Sequence, residues 1–349
     1  ESDWSSDVCS SDLQTTSLKK NKKPLKITEV AEPAVGDGDD VLVKVSVCGV
    51  CHTELDEIEG RIFLPSFPVI LGHQVVGVVA GQGRRARKFA IGDRVGIGWI
   101  NRSCGQCPFC LSGNENLCAG FKATGRDVSG GYAQYLTVSE KFAFPIPEIF
   151  SDSQAAPLLC AGAIGFRSLR LANLTNGQRL GLTGFGASAH LVLKMARYLY
   201  PQTPLFVFAR NPAERQFALD LGAVWAGDTS DESPEKLHAV IDTTPVWKPV
   251  VEALKNLEPA GRLVINAIRK EDTDKDYLLQ LNYGRHLWME KEIKSVANVA
   301  LCDIENFLKL ASDMRIVPDV QAYPLNDVNQ ALGELKEGKI RGAKVLIIS

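Results

Sequence analysis

A chain of 349 residues is longer than one hydrophobic core comfortably fills, so its length points to two domains. Hydrophobic residues make up 45% of it, and 39 Lys and Arg stand against 41 Asp and Glu for a net charge of −2. That balance excludes recognition of nucleic acid or of an anionic membrane by bulk charge. Apolar runs are interrupted by Gly, Pro or charge before the ~20 residues a membrane span needs, and no signal-peptide core opens the chain, so the expected location is cytoplasmic.

At the N-terminus, Asp3 to Leu13 reads DWSSDVCSSDL, which resembles the translation of a sequencing adapter. Ser and Asp around one Trp and one Cys show neither helical nor strand period, so residues 1–13 are set aside as an artefact, with a natural tail lacking any packed element as the alternative. On that reading Cys9 carries no function, and a few native residues of a first strand are missing before Gln14. From Pro24 to Phe144, short β-type runs such as VLVKVSV, VVGVVA and DRVGIG are punctuated by Gly and Pro, with no clear helical repeat between them. A partly open β domain is expected there.

The texture changes near Ala161. RLGLTG reads as a strand, Ser188 to Tyr198 as a helix, PLFVFA as a strand and Ala213 to Leu221 as a helix. Further buried strands are expected at HAVIDTT, GRLVINA and IKSVANV, so an α/β fold with a doubly wound parallel sheet is the economical solution. The tail ends in KVLIIS, a strand expected to pack back on the first domain. The expected division is 14–160 and 301–349 for the first domain and 161–300 for the second.

Cys104, Cys107, Cys110 and Cys118 form a C-x2-C-x2-C-x7-C cluster, a spacing that lets one loop wrap a tetrahedral zinc with four thiolates. Disulfides, an iron-sulfur cluster and free surface thiols are the alternatives. Four protein ligands leave no open position, so such a zinc holds the lobe together instead of doing chemistry. Gly105, Pro108 and Gly113 supply its turns.

In TGFGASAH, Gly184, Gly186 and Ala189 give G-x-G-x-x-A between a strand and a helix. The first Gly permits the tight turn, the second admits a pyrophosphate to the backbone, the small third residue lets helix pack on strand, and the helix N-terminus faces the phosphates. The next strand ends FVFARNP, where the position for a ribose-binding carboxylate is Ala209, followed by Arg210. An Arg there pairs with a 2′-phosphate, which favours NADP(H) over NAD(H).

The remaining ligand-type residues are Cys51 and His52 in GVCHTEL, His73 in LGHQVVG and Cys160 in PLLCAG, each weak alone. Taken in order with GDRVG, the four-cysteine lobe and GFGASA, they make the chain after residue 14 resemble the zinc-containing medium-chain alcohol dehydrogenases. The resemblance implies a Rossmann domain beside a GroES-like catalytic domain, a second, catalytic zinc on Cys51, His73 and Cys160, and a small alcohol, aldehyde or ketone as substrate. It implies that Thr53 receives the alcohol proton and that the assembly is a homodimer or homotetramer. Cys48 aligns with no ligand and reads as packing. Two thiolates and an imidazole with one open position suit a zinc that polarises a carbonyl oxygen.

Several positions depart from the family pattern. Gln74 stands where an acidic residue usually follows the zinc-binding His, Glu54 where Asp usually follows the relay hydroxyl, and Asp56 where a relay His is common. Proton transfer is therefore expected to run through Asp56 or directly through water. Trp99 resembles the aromatic that narrows the pocket in related enzymes, with core packing as the alternative. Near the C-terminus the family's pyrophosphate Arg is replaced by Ala343, with Arg341 and Lys344 as candidate stand-ins and the contact left unassigned. The competing readings of the whole chain are a zinc-free reductase of the same architecture and a cofactor-binding protein that has lost turnover.

Overall fold

A computed structural model describes residues 4–9, 18, 21–337 and 342–348. It divides into two compact units, Glu1–Cys160 with Ala300–Ser349, and Ala161–Val299.

In the first unit, β1 (Trp4–Cys9) pairs antiparallel with β2 (Lys26–Ala31). A strand at β1 departs from the expectation of no element there. A two-stranded ribbon needs only backbone N–H and C=O groups, which an irregular side-chain pattern does not report. The main sheet is built on β3 (Asp40–Val50), β4 (Val75–Gln82) and β5 (Arg94–Ile97), all antiparallel and nearly continuous in buried Val and Ile. A small ladder of β6 (Ile100–Arg102) and β7 (Lys122–Ala123) brackets the four-cysteine loop, while β8 (Tyr135–Ser139) pairs with β3 and β9 (Ala143–Pro145) with β5. Helix His52–Ile58 interrupts this β domain, where no helical repeat was expected. Seven residues are too few to display a helical period, and the local signal is its cap.

The second unit carries β10 (Leu180–Thr183), β11 (Leu205–Phe208), β12 (Trp225–Gly227), β13 (Leu237–Asp242), β14 (Leu257–Ile265) and β15 (Glu292–Ser295). All pair in parallel in the order β12-β11-β10-β13-β14-β15. Numbered within the sheet this is 3-2-1-4-5-6, the doubly wound arrangement whose switch point falls between β10 and β13. Strands β10 and β11 are buried along their whole length because helices cover both faces of such a sheet. Phe206, Phe208, Leu237, Val240, Leu254 and Leu263 centre its core.

The chain then returns to the first unit, where β16 (Val320–Pro324) pairs in parallel with β17 (Ala343–Ile347) and β17 pairs antiparallel with β3. The helical run Asp152–Ala172 is long and apolar enough, by length and composition, to cross a membrane, which reading isolated apolar runs did not reveal. Of its most apolar 18-residue window 67% is buried, and the run carries Arg167 and Arg170, so it fits the core helix of a globular protein.

Candidate metal and cofactor sites

The segment CHTE builds its own helix start. Cys51 is the N-cap of helix His52–Ile58, with extended backbone (φ −136°, ψ −179°), and its Sγ accepts the Thr53 N–H at 3.4 Å. Glu54 completes the capping box, its Oε2 accepting the Cys51 N–H at 2.9 Å. The other oxygen of Glu54, Oε1, lies 2.6 Å from Nδ1 of His73, and both side chains are buried. One carboxylate thus fixes the helix that presents Cys51 and the ring that presents His73. Gly72, with φ +96°, permits the turn before His73, since a Cβ there would lie 2.5 Å from the Tyr132 ring.

Cys160 arrives from the opposite direction on a π-helical turn, Leu158–Gly162, that follows Pro157. Such turns rotate one residue out of α register and recur at functional sites. Nε2 of His73 is 3.6 Å from Cys51 Sγ and 3.4 Å from Cys160 Sγ, and the three ligand atoms all lie within 4.8 Å of one another. A tetrahedral zinc with bonds of about 2.0 Å to N and 2.3 Å to S has N–S edges of about 3.5 Å, so this donor set fits zinc.

The electrostatics agree. Contact with Cys160, then burial and Glu54, push the Cys51 thiol well above its ordinary range. Burial pulls His73 down, but Glu54 and Cys51 outweigh it and leave its basicity raised. Two thiols and a carboxylate packed around one imidazole need a cation before the thiols can ionise.

Of the other positions singled out in the sequence, Thr53 is half-buried on the same helix. Asp56 is buried, and its Oδ1 accepts from Arg61 Nε at 2.5 Å. Gln74 is buried with its amide against Gly49, so tightly that a Cβ at Gly49 would lie 2.4 Å from Gln74 Oε1. Trp99 is half-buried, its ring 5.5 Å from that of Phe121, and its Nε1 has no partner among the described residues. Cys48 is fully buried, as packing requires.

In the lobe, Cys104, Cys107, Cys110 and Cys118 also bring their sulfurs within 4.8 Å of one another, with Cys104–Cys110 at 3.9 Å and Cys107–Cys110 at 3.6 Å. A tetrahedron of four Zn–S bonds has edges of about 3.8 Å. The N–H groups of Gln106 and Cys107 hold the Cys104 thiol down at about 6. This donor set also fits zinc.

In the second unit, Gly184 follows β10 with φ +72°, and a Cβ there would lie 2.8 Å from Thr244 Cγ2, so the tight turn requires glycine. Gly186 N-caps helix Ala187–Leu199 without a side-chain hydrogen bond, and a Cβ at Gly186 would meet nothing within 4 Å. Open space before a helix with free N–H groups is what a pyrophosphate requires. Ala189 is fully buried. At the end of β11, Ala209 is buried and Arg210 exposed, with no carboxylate within ion-pair distance of Arg210 among the described residues.

Sequence reading missed Arg215, which donates to the carbonyls of Ala209 at 2.9 Å and Arg210 at 3.3 Å and meets Asp228 at 3.3 Å. Its position on helix Pro212–Asp220, one turn beyond Arg210, was the available signal. For Glu54 the signal is the C-x-x-E spacing from Cys51, which is that of a capping box. Lys344 is no stand-in for the pyrophosphate Arg: it is buried and donates to Gln321 Oε1 at 2.9 Å and Glu334 Oε2 at 2.8 Å. Arg341 lies outside the described residues.

Comparison with known proteins defines the class. The alcohol dehydrogenase GroES-like domain family matches residues 37–148. The chain is 41% identical over 326 residues to "Probable alcohol dehydrogenase AdhA" of Mycobacterium tuberculosis, covering 92% of this chain and 91% of that one. It is 30% identical to an alcohol dehydrogenase of Geobacillus stearothermophilus, covering 96% and 98%. A cinnamyl alcohol dehydrogenase of Sorghum bicolor superposes with a TM-score of 0.82 at 26% identity, covering 99% and 98%. The chain belongs to the zinc-containing medium-chain alcohol dehydrogenases. It is an oxidoreductase acting on small-molecule alcohols or aldehydes.

Proposed function

We propose that this chain is a zinc-dependent dehydrogenase that exchanges a hydride between NADP(H) and a primary or secondary alcohol, or the matching aldehyde or ketone. The observation that carries the reading is the convergence of Cys51 Sγ, His73 Nε2 and Cys160 Sγ within 4.8 Å; three such donors would leave the fourth corner of a tetrahedral zinc to substrate. Bound zinc supplies a Lewis acid for the substrate oxygen, and the nicotinamide takes or gives the hydride. Glu54 orients His73 so that Nε2 faces the metal. The Thr53 hydroxyl takes the alcohol proton and passes it on through Asp56 or water, while Trp99 narrows the pocket. A second zinc on Cys104, Cys107, Cys110 and Cys118 braces the lobe.

The preference for NADP(H) rests on Arg210, exposed and without a carboxylate partner, with Ala209 where NAD-binding chains carry an acid and Arg215 close by. Gly184, Gly186 and Ala189 form the pyrophosphate turn.

The test is zinc per chain by elemental analysis on protein purified without added metal, paired with NADPH oxidation on a mixed aldehyde panel. The expected result is about two zincs with turnover, and Cys51→Ser loses one zinc and all turnover. About one zinc with no turnover would leave the lobe standing and overturn the catalytic site.

A further inference from the structure

The first unit holds a cavity of about 580 Å³ that none of Cys51, Thr53, His73, Trp99 or Cys160 lines. That volume lies within the range of small-molecule sites. Its walls are apolar where Val30, Ile70 and Leu136 form them and polar where Asn101, Arg102 and Lys122 do.

Asn101 is the key residue. In the β6–β7 ladder Ile100 faces Ala123 and Arg102 faces Lys122, so Asn101 is the extra residue of a β-bulge, a device that re-aims one side chain away from the ladder. Asn101 is only 2% exposed, yet its side-chain Nδ2 has no hydrogen-bond partner among the described residues. A buried amide donor left unpaired is costly, and because Asn101 lines the cavity a small shift of that wall would bring Nδ2 against a ligand oxygen.

The same ladder places two cations directly opposite each other. Arg102 and Lys122 are paired positions, and like charges so placed repel. Asp40 meets Arg102 at 2.9 Å, but Lys122 has no carboxylate within ion-pair distance among the described residues. An anion between them removes the repulsion.

We infer that this cavity is a second ligand site for a small amphipathic carboxylate: the carboxylate sits between Lys122 and Arg102, the hydrocarbon body lies on Val30, Ile70 and Leu136, and an oxygen accepts from Asn101 Nδ2. The inference is independent of the zinc chemistry. Nothing in it requires a reaction.

Isothermal titration of the zinc-loaded enzyme with 4-phenylbutyrate tests it, with 4-phenylbutyramide as the uncharged match. The expected result is saturable binding of one 4-phenylbutyrate per chain, at least roughly five-fold tighter than the amide and weakened by added salt. Lys122→Glu, a surface change that leaves alcohol oxidation intact, raises the Kd by at least about ten-fold. Cys160→Ser leaves the Kd unchanged. Absence of saturable binding up to about 10 mM, equal binding of the amide, or wild-type affinity in Lys122→Glu overturns the inference; so does loss of binding in Cys160→Ser, which would put the probe at the zinc centre.

Discussion

Glu54 joins two tasks that a residue-by-residue reading keeps apart, capping the helix that begins at Cys51 and meeting Nδ1 of His73. Glu54→Gln keeps one acceptor for the cap but loses the charge beside the ring. We expect kcat/KM to fall by about 10- to 100-fold together with zinc retention, read by elemental analysis after dialysis. Wild-type zinc content in that variant would refute the orienting role. At the other site, Arg210→Ala removes the exposed guanidinium beside Ala209. The ratio of kcat/KM for NADPH over NADH should fall by about ten-fold or more, as expected for one charge-assisted phosphate contact, and an unchanged ratio would refute the proposed role of Arg210. The residues that converge on the two candidate metal sites were legible from residue types in order. The roles of Glu54 and Arg215 were not, because each depends on where a side chain meets a partner distant in sequence or lodged against backbone.

Helices and strands are tied to each other by charged pairs that no local pattern announces. Glu59, just past helix His52–Ile58, is paired with Lys336 at the end of helix Val328–Lys336 and with Arg61, and also accepts the Leu18 N–H at 3.1 Å. Burial alone would raise the Glu59 carboxyl, but Lys336 and Arg61 outweigh it and hold it down at about 2. A carboxyl depressed in the folded state stabilises fully above its unfolded value near 4.3, and the contribution is lost as pH falls through that range towards 2. Lys336→Met should therefore lower stability at pH 7 and flatten the loss between about pH 4.5 and 2, measured by denaturant unfolding across pH. In the parallel sheet, Lys270 meets the fully buried Asp242 at the end of β13 and donates to the carbonyls of Thr244 at 2.7 Å and Val246 at 3.0 Å. Lys270→Met strands a buried carboxylate, so unfolding should become easier by about 3–5 kcal/mol, whereas Lys270→Met with Asp242→Asn should recover much of that. A single-variant loss under about 1 kcal/mol would mean that water reaches Asp242.

For the molecule as a whole, zinc held at the two proposed clusters would contribute binding free energy that only the folded chain can collect. Chelation should lower the melting temperature by several degrees and abolish turnover, and added zinc should restore both. A melting temperature indifferent to chelator would remove the bracing role of the lobe. The βαβ rhythm of the second unit, its glycine turn and the four-cysteine lobe are legible in the chain alone, because period, turn chemistry and ligand spacing are local properties. So is the family, through the order of its motifs. Only folding brings distant groups together: Cys160 reaching His73 on a π turn, Glu54 behind the imidazole, β17 returning to β3, and Asn101, the extra residue of a bulge, lining a cavity. Those depend on strand register and on which side chains share a buried volume, and register is set by packing between segments far apart in the chain.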